Sequence, residues 1–289
     1  MSEQVFLNDK ITDIDKAGLS VIDSGFLYGA GLFETMRSYN GKVFSLDDHM
    51  DRLFFSANTL SIKIDHERKF IKDSIYNLLD ANSLTDARIR LTISSGSMSL
   101  SQENKQATML ITATQLQPYP KEYYEKGVLV TLCPYRQNSN DPTCGHKTTS
   151  YLSRMLALQN AHQKRAAEAL WFTTDNRLAE GCVSNVFLVK DSKVFTPPLY
   201  TPVLAGIARK NICKLAMNDS IELVEKDLNI NDVIGADEIF LTNVIMQVMP
   251  VVQVEQHVVN KGKVGETTKR LIDKYNELVG NNSSNEFIK

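Results

Sequence analysis

The sequence predicts an α+β protein that is divided into two domains. Helical and strand-like patterns follow one another along the chain without a regular βαβ repeat, which favours α+β over a doubly wound parallel sheet. The 289 residues, of which 43% are hydrophobic, are enough to bury one large core or two smaller ones. Residues 115–121 contain two prolines and no periodicity, which indicates a linker. We therefore predict a smaller α/β domain over residues 1–114, a linker over 115–126 and a larger domain over 127–289.

The elements of the first domain follow from local patterns. Asn40-Gly41 fits the two-residue type I′ turn of a hairpin over residues 33–44, because both turn residues need a positive φ. Ser45, with Asp48 three positions later, predicts a side-chain cap at the start of a helix. Residues 87–94 alternate in the manner of a half-buried strand. The remaining predicted elements are a strand over 5–8, a helix over 67–80 and a strand over 107–114.

The second domain is predicted to mix helices and strands. A helix follows Lys147 and carries Leu152, Met155, Leu156 and Gln159 at helical spacing. Further helices are predicted over residues 203–217 and 265–278. Strands are predicted over residues 127–133, 169–173, 183–190, 193–196, 221–226 and 238–242.

Composition and charge exclude several classes of protein. The net charge is −2 and the pI is about 6.2, with Lys and Arg dispersed, so we expect no nucleic-acid surface. No apolar run approaches the roughly 20 residues of a membrane span, and the polar N-terminus does not resemble a signal peptide. The four cysteines form no CxxC pair, so we expect neither a structural metal site nor a disulfide framework. These features favour a cytoplasmic protein.

Three short segments could together hold pyridoxal phosphate. Residues 146–152 contain Lys147, whose amine could form a Schiff base with the aldehyde of the cofactor. Residues 178–187 contain Glu180, and a carboxylate that faces the pyridinium nitrogen keeps that nitrogen protonated. Residues 204–209 contain Gly206 at a predicted helix start, where backbone amides can bind a phosphate.

These segments resemble those of the fold-type IV, or class IV aminotransferase, family of pyridoxal-phosphate enzymes. The resemblance extends over residues 5–275 and includes several separate motifs in the order that the family has. It implies a two-domain fold of the D-amino-acid aminotransferase type, pyridoxal 5'-phosphate as the cofactor and a homodimeric assembly. It also implies small amino and oxo acids as substrates. Lys147 would be the Schiff-base lysine and Glu180 the partner of the pyridine nitrogen.

The resemblance implies further residues that bind the cofactor. Arg52 lies in the motif His49-x-x-Arg52-Leu53, whose arginine binds the phosphate in the family. Gly206, Ile207 and Ala208 match the phosphate-binding helix start, although Ala208 replaces the usual threonine. The other implied cofactor-binding residues are Tyr151, which could reach the phenolic oxygen, Ser184 and Asn185 in the motif after Glu180, and Thr242 and Asn243 in a second loop on the phosphate side.

The first motif of the family lines the side on which the substrate binds. Residues 23–37 resemble this motif, although Thr35 stands where glycine is usual. Tyr28 and Arg37 are therefore candidates for recognising the substrate carboxylate, and each could instead belong to the core or the surface. The Gly29-x-Gly31 pair in this segment is not a dinucleotide-binding motif, because it lacks a third glycine.

The resemblance leaves the reaction open among three activities. Phe33, Glu34 and Arg37 favour an aminotransferase of the branched-chain type. Ala208 and Val244, which lack the usual hydroxyls, favour a 4-amino-4-deoxychorismate lyase that releases pyruvate and 4-aminobenzoate. A D-amino-acid aminotransferase is the third activity. A non-catalytic binding module is disfavoured because Lys147 and Glu180 are both present. We predict the branched-chain-like aminotransferase, since transamination is the commoner activity among such sequences.

Overall fold

The computed structural model describes residues 3–96 and 107–284. In this part of the chain, helices combine with two sheets whose strands are mostly antiparallel, which confirms the α+β prediction. The chain divides into two compact units. Unit 1 comprises Met1–Gln117, His146–Tyr151 and Val279–Lys289, and unit 2 comprises Pro118–Gly145 and Leu152–Leu278.

The segment His146–Tyr151 belongs to unit 1, whereas the sequence patterns placed it in the domain over residues 127–289. The physical reason is backbone hydrogen bonding to the strand that begins at Gly31. The N–H of Phe33 donates to the carbonyl of Lys147, and the N–H of Thr149 donates to the carbonyl of Gly31, each over 2.9 Å. A long-range pairing of this kind leaves no local signal in the sequence.

Unit 1 consists of an antiparallel sheet and the helices that accompany it. Its strands are β1 (Gln4–Leu7), β2 (Lys10–Asp13), β3 (Gly31–Tyr39), β4 (Lys42–Val43), β5 (Ala87–Ser94) and β6 (Thr108–Gln115), and its helices are α1 (Ser24–Tyr28), α2 (Leu46–Thr59) and α3 (Arg68–Ala81). Among the described residues, the six strands are ordered β2-β1-β6-β5-β3-β4. The apolar residues of α2 and α3 form one core with those of the sheet.

The hairpin at the edge of this sheet confirms one prediction and corrects another. Asn40 and Gly41 have φ values of 48° and 79°, as the type I′ turn requires. Ser45 does precede α2, but its side chain makes no cap hydrogen bond, so the predicted Ser45–Asp48 cap is wrong. Ser45 instead has a left-handed backbone conformation with φ 50° and connects the hairpin to the start of α2.

Unit 2 contains a larger, mixed sheet. Its strands are β7 (Val128–Gln137), β8 (Glu168–Thr173), β9 (Leu178–Gly181), β10 (Asn185–Lys190), β11 (Lys193–Thr196), β12 (Leu223–Glu225), β13 (Glu238–Asn243), β14 (Gln247–Val254) and β15 (His257–Val258). Its helices are α4 (Lys121–Lys126), α5 (Leu152–Gln163), α6 (Ile207–Asn218), α7 (Ile230–Ile234) and α8 (Glu266–Ser284), the last of which continues past Leu278. The short helix α4 lies within the predicted linker.

The sheet of unit 2 brings three functional motifs together. Within the described ranges its strand order is β12-β11-β10-β13-β14-β7-β8-β9, with β15 added on β14. Neighbouring strands β10 and β13 are antiparallel, and Asn185 is paired with Thr242 at their ends. Strand β9 also contacts β10. The motifs around Glu180, Asn185 and Thr242 therefore lie close to one another.

Two helices of unit 2 begin later than predicted. Helix α5 starts only at Leu152, so Tyr151 lies in an extended segment with Lys147. Its apolar residues Leu152, Met155 and Leu156 are exposed, and the buried residues of the helix are Ala157 and Ala161. Helix α6 starts at Ile207 rather than at residue 203, because Gly206 has extended backbone angles. No helix in the part of the chain that the structure describes is long and apolar enough to cross a membrane.

Candidate active site

The amine of Lys147 lies against aromatic rings in unit 1. Its Nζ is 4.6 Å from the ring centre of Phe33 and 6.0 Å from that of Tyr151. The rings of Phe33 and Tyr151 contact each other edge to face at 5.4 Å. Lys147 is half-buried, and its backbone is fixed by the hydrogen bonds to β3. The lysine is thus held in place by both its backbone and the aromatic faces beside its amine.

Arg90 shares the Phe33 ring with Lys147 and was not predicted as a site residue. Its guanidinium lies 3.8 Å from the centre of the Phe33 ring. Burial lowers the pKa of Arg90, as does the nearby Arg88, but an arginine remains charged under ordinary conditions. Only the pairing of β5 with β3, which sets Arg90 opposite Thr35, reveals this position. The surface beside Lys147 is therefore cationic, which suits an anionic substrate.

Arg52 belongs to a buried ion cluster in unit 1. Its Nε and Nη2 donate to the two oxygens of Glu34 over 2.8 and 2.5 Å, and Nδ1 of His49 lies 2.7 Å from the same carboxylate. Glu34 and His49 are almost completely buried. Burial would raise the pKa of Glu34, but the Arg52 guanidinium and the hydrogen bonds of the cluster lower it to about 2. Glu34 therefore stays ionised and fixes the orientation of Arg52.

The carboxylate of Glu180 is held at both oxygens in unit 2. Glu180 lies in β9 and is buried. Its Oε1 accepts a hydrogen bond of 2.5 Å from Nη2 of Arg154, and its Oε2 accepts one of 2.9 Å from the N–H of Leu204. Each carboxylate oxygen can accept a second bond. The two bonds fix the carboxylate and leave it able to accept a further hydrogen bond.

The turn after Glu180 is built around a second buried carboxylate, which the sequence motifs did not identify. Glu168 accepts hydrogen bonds from the N–H groups of Cys182 and Val183 and from the hydroxyl of Ser184. A side chain at Gly181 would meet Ser184 and Glu168, so only glycine fits this position. The hydroxyl hydrogen of Ser184, a predicted cofactor ligand, is therefore directed to Glu168.

The start of helix α6 fits the predicted phosphate site. No side chain caps this helix start at Gly206, and the first amides of a helix have no intrahelical partner. A side chain at Gly206 would overlap Oδ1 of Asn185, so glycine lets the helix start lie directly against Asn185. The Nδ2 of Asn185 donates to the carbonyl of Leu204 and holds the segment before the helix. An uncapped helix start of this kind can bind an anion.

The predicted loop at Thr242 and Asn243 lies beside Asn185. The hydroxyl of Thr242 is buried and has no hydrogen-bond partner among the described residues. The side chain of Asn243 is occupied, because it donates to the carbonyl of Val183 and accepts from the N–H groups of Ile245 and Met246. Thr242 therefore has an unused polar atom, whereas Asn243 shapes the loop.

The two predicted substrate residues differ in their surroundings. Tyr28 lies in α1 and is 67% exposed. Arg37 lies in β3, and its guanidinium is 4.2 Å from the ring centre of Tyr39. Because side chains alternate along a strand, Arg37 shares a face of the sheet with Phe33. Both remain candidates for carboxylate recognition.

Each unit carries polar groups of the kinds that bind pyridoxal phosphate. Unit 1 carries an amine that is fixed beside aromatic rings, and an oriented arginine. Unit 2 carries a buried carboxylate with acceptor capacity, an uncapped helix start and an orphaned buried hydroxyl. These are the groups that an aldehyde, a pyridine nitrogen and a phosphate require.

Comparison with known proteins supports the same chemistry. Residues 31–254 match the model of the family described as amino-transferase class IV. A Methanocaldococcus jannaschii protein, provisionally named as a branched-chain-amino-acid aminotransferase, is 34% identical over 95% of this chain and 96% of its own length. The aminodeoxychorismate lyase of Bacillus subtilis is 31% identical, over 96% of this chain and 95% of its own length.

A solved structure shows the same fold. The branched-chain amino acid aminotransferase of Escherichia coli superposes with a TM-score of 0.92 at 26% identity, over 99% of this chain and 98% of that one. The fold is thus that of fold-type IV pyridoxal-phosphate enzymes, as the sequence predicted, and the protein is an enzyme of that kind, aminotransferase or lyase. The chain belongs to the class IV aminotransferase family.

Proposed function

We propose that the protein is a pyridoxal-phosphate-dependent aminotransferase of the branched-chain type, which moves an amino group between an amino acid and a 2-oxo acid. The observation that carries this proposal is the full-length similarity to the Methanocaldococcus jannaschii protein, at 34% identity. The cationic, aromatic surface beside Lys147 supports it, because both substrates are carboxylates and the branched side chains are apolar.

Lys147 is assigned the central chemical role. The bound cofactor supplies an electron-withdrawing ring that acidifies the Cα–H of the substrate. The Nζ of Lys147 would hold the cofactor covalently and, as a free amine, would accept the proton from the substrate Cα. The carboxylate of Glu180 would keep the proton on the ring nitrogen. Hydrogen bonds to both of its oxygens hold this carboxylate in one orientation.

The remaining roles concern binding. In unit 1, Arg52 is assigned to the phosphate, because its guanidinium is oriented by Glu34. In unit 2, the amides of Ile207 and Ala208 and the hydroxyl of Thr242 are the groups assigned to it. Ser184, Asn185 and Asn243 shape the cofactor-binding loops, since their side chains are bonded within unit 2. The hydroxyl of Tyr151 binds the phenolic oxygen of the ring, and Tyr28 and Arg37 bind the substrate carboxylate.

A lyase acting on 4-amino-4-deoxychorismate is the second candidate. It is favoured by the Bacillus subtilis relative and by the apolar side chains of Ala208 and Val244, both buried at the positions where a hydroxyl is usual. Such a lyase releases pyruvate and 4-aminobenzoate and needs no oxo acid to complete its cycle.

Single-turnover spectra separate the two activities. With an aminotransferase, an amino acid alone bleaches the visible absorption band of the holoenzyme and yields pyridoxamine phosphate, and a 2-oxo acid restores the band. A panel of L- and D-amino acids identifies the donor. If no amino acid yields pyridoxamine phosphate while aminodeoxychorismate is consumed to pyruvate, the lyase assignment replaces the first.

A labelling experiment and a variant test the assigned residues. Borohydride should fix the cofactor to the peptide that contains Lys147 and to no other lysine peptide. Glu180→Gln should retain the cofactor but lose most turnover, because a neutral amide does not hold the ring-nitrogen proton. Label on another lysine, or normal turnover of Glu180→Gln, would contradict these assignments.

We also propose that the enzyme is a homodimer. The exposed apolar side chains of α5, which are Leu152, Met155 and Leu156, support an interface with a second copy. Met155→Glu should then yield a monomer in light scattering, whereas Gln163→Glu on the same helix should not. A wild-type protein that is a fully active monomer would contradict the proposal.

A further inference from the structure

The side chain of Arg154 connects helix α5 with the residues that surround Glu180. Besides its bond to Glu180, its Nη1 donates to the carbonyls of Gly181 and Cys182 over 3.1 and 3.2 Å. Its guanidinium also lies 5.6 Å from the ring centre of Trp171. A single planar side chain thus binds three successive residues, which the fork of an arginine allows and the single ammonium of a lysine does not.

Glu168 binds the same turn through its backbone amides. Arg154 binds carbonyls of the turn, and Glu168 binds its amides at Cys182 and Val183. A cation on the carbonyls and a carboxylate on the amides leave the turn little freedom to rotate. With Oε2 of Glu180 bonded to the N–H of Leu204, Arg154 is the group that fixes the other oxygen.

We infer that Arg154 is a positioning residue that sets the orientation of the Glu180 carboxylate, an inference that rests on the proposed function. Its guanidinium would act on the reaction through its bond to Glu180. Without it, the carboxylate would be free to rotate about its side-chain bonds, and the turn would lose two of its carbonyl contacts. The role extends to either reaction, since aminotransferase and lyase both need the ring nitrogen protonated.

A double-mutant cycle on the holoenzyme tests this role. Arg154→Met should lower kcat by about tenfold or more, the effect of losing hydrogen bonds to a charged group, while KM for the amino acid changes by less than about twofold. In the Glu180→Gln background, the same substitution should add almost nothing, because its target is already lost. If Arg154→Met does not fold, Arg154→Lys takes its place, since it keeps the cation but not the fork.

Arg136 provides a matched control within the same unit. Its Nη1 also donates to two carbonyls, those of Cys133 and Tyr135, and its guanidinium lies near the ring of Phe172, but none of these contacts involves Glu180. Arg136→Met should therefore leave kcat within about twofold of the wild type.

A measurement on the cofactor-free protein reports on the turn itself. The thiol of Cys182 is fully buried beside the bonds of Arg154, and burial raises its pKa strongly. Alkylation followed by peptide mapping should show faster modification of Cys182 in Arg154→Met, with the rate at buried Cys133 unchanged. In Arg136→Met, the rate at Cys182 should match the wild type.

The possible outcomes distinguish the inference from the proposed function. If the Arg154→Met effect on kcat persists in full in the Glu180→Gln background, Arg154 does not act through Glu180 and the inference is overturned alone. An Arg154→Met variant with wild-type kcat and Cys182 reactivity overturns it as well. If Glu180→Gln turns over normally, both the assigned role of Glu180 and this inference fail together.

Discussion

Each unit contains a fully buried glutamate, and the two are stabilised by different means. Glu34 in unit 1 is surrounded by the cation of Arg52 and the ring of His49, and its pKa is lowered to about 2. Glu168 in unit 2 accepts hydrogen bonds from three backbone amides and a hydroxyl. Burial raises the pKa of Glu168, and these hydrogen bonds only partly oppose the rise.

The difference teaches what each carboxylate is suited to do. A carboxylate in an ion pair fixes the orientation of a charged side chain, as Glu34 does for Arg52. A carboxylate held by amides shapes the backbone, as Glu168 does for the turn after Glu180. Removing the carboxylate of Glu34 should therefore affect stability by a different amount, and with a different pH dependence, from removing that of Glu168.

The largest effect is expected for Glu34→Gln. The substitution leaves the largely buried guanidinium of Arg52 without its carboxylate, and breaking a buried pair costs about 3–5 kcal/mol of unfolding free energy. Denaturant unfolding of the wild type and the variant measures the difference. Asp47→Asn, which removes an exposed ion pair with Lys72 at the start of α2, is the control and should change stability little. Equal effects of the two substitutions would show that the cluster is not a stabilising ion pair.

The contribution of Glu34 should also depend on pH. Its pKa in the folded protein, about 2, lies below the ordinary value of 4.5, so the unfolded chain binds the proton first as the pH falls. The stabilisation is therefore fully present above about pH 4.5 and is lost as the pH falls toward 2, by about 3 kcal/mol in total. The stability difference between the wild type and Glu34→Gln should shrink over this range. A difference that stays constant would refute the ionised pair.

Arg52→Ala should weaken cofactor binding by about 1.5–3 kcal/mol, the value of a hydrogen bond to a charged group. It should also destabilise the fold, because Glu34 loses its cation. The double variant Arg52→Ala/Glu34→Gln separates the two effects: it should recover part of the stability but none of the affinity for pyridoxal phosphate. Fluorescence titration of the cofactor measures the affinity. Full recovery of affinity in the double variant would show that Arg52 does not bind the phosphate.

The elements that could be predicted from the sequence are those with local signals. The Asn40-Gly41 turn and the alternation over residues 87–94 each depend on neighbouring residues, and both are found in the structure. The class IV motifs identified the family for the same reason, since each is a short continuous segment.

The groups that were missed depend on contacts between distant residues. Arg154 and Glu180 are 26 residues apart, and Glu168 and Ser184 are 16 apart. No periodicity of a helix or strand relates residues at such separations. The attachment of Lys147 to β3 was missed for the same reason, and so was the late start of α5 that follows from it.

Glu168→Gln should have the smallest effect on stability and the most local one. The amide has one acceptor atom in place of two, so at least one N–H of the turn loses its partner, at a cost of about 1–3 kcal/mol. The pKa of Glu168 is raised above 4.5, so its contribution to stability is present below that pH and is lost as the pH rises through the folded pKa. The advantage of the wild type over Glu168→Gln should therefore fall with rising pH, opposite in sign to the Glu34 series. Unfolding of both variants in the same buffers makes the comparison direct. A rise with pH in both series would mean that amides and cations stabilise the two buried carboxylates in the same way.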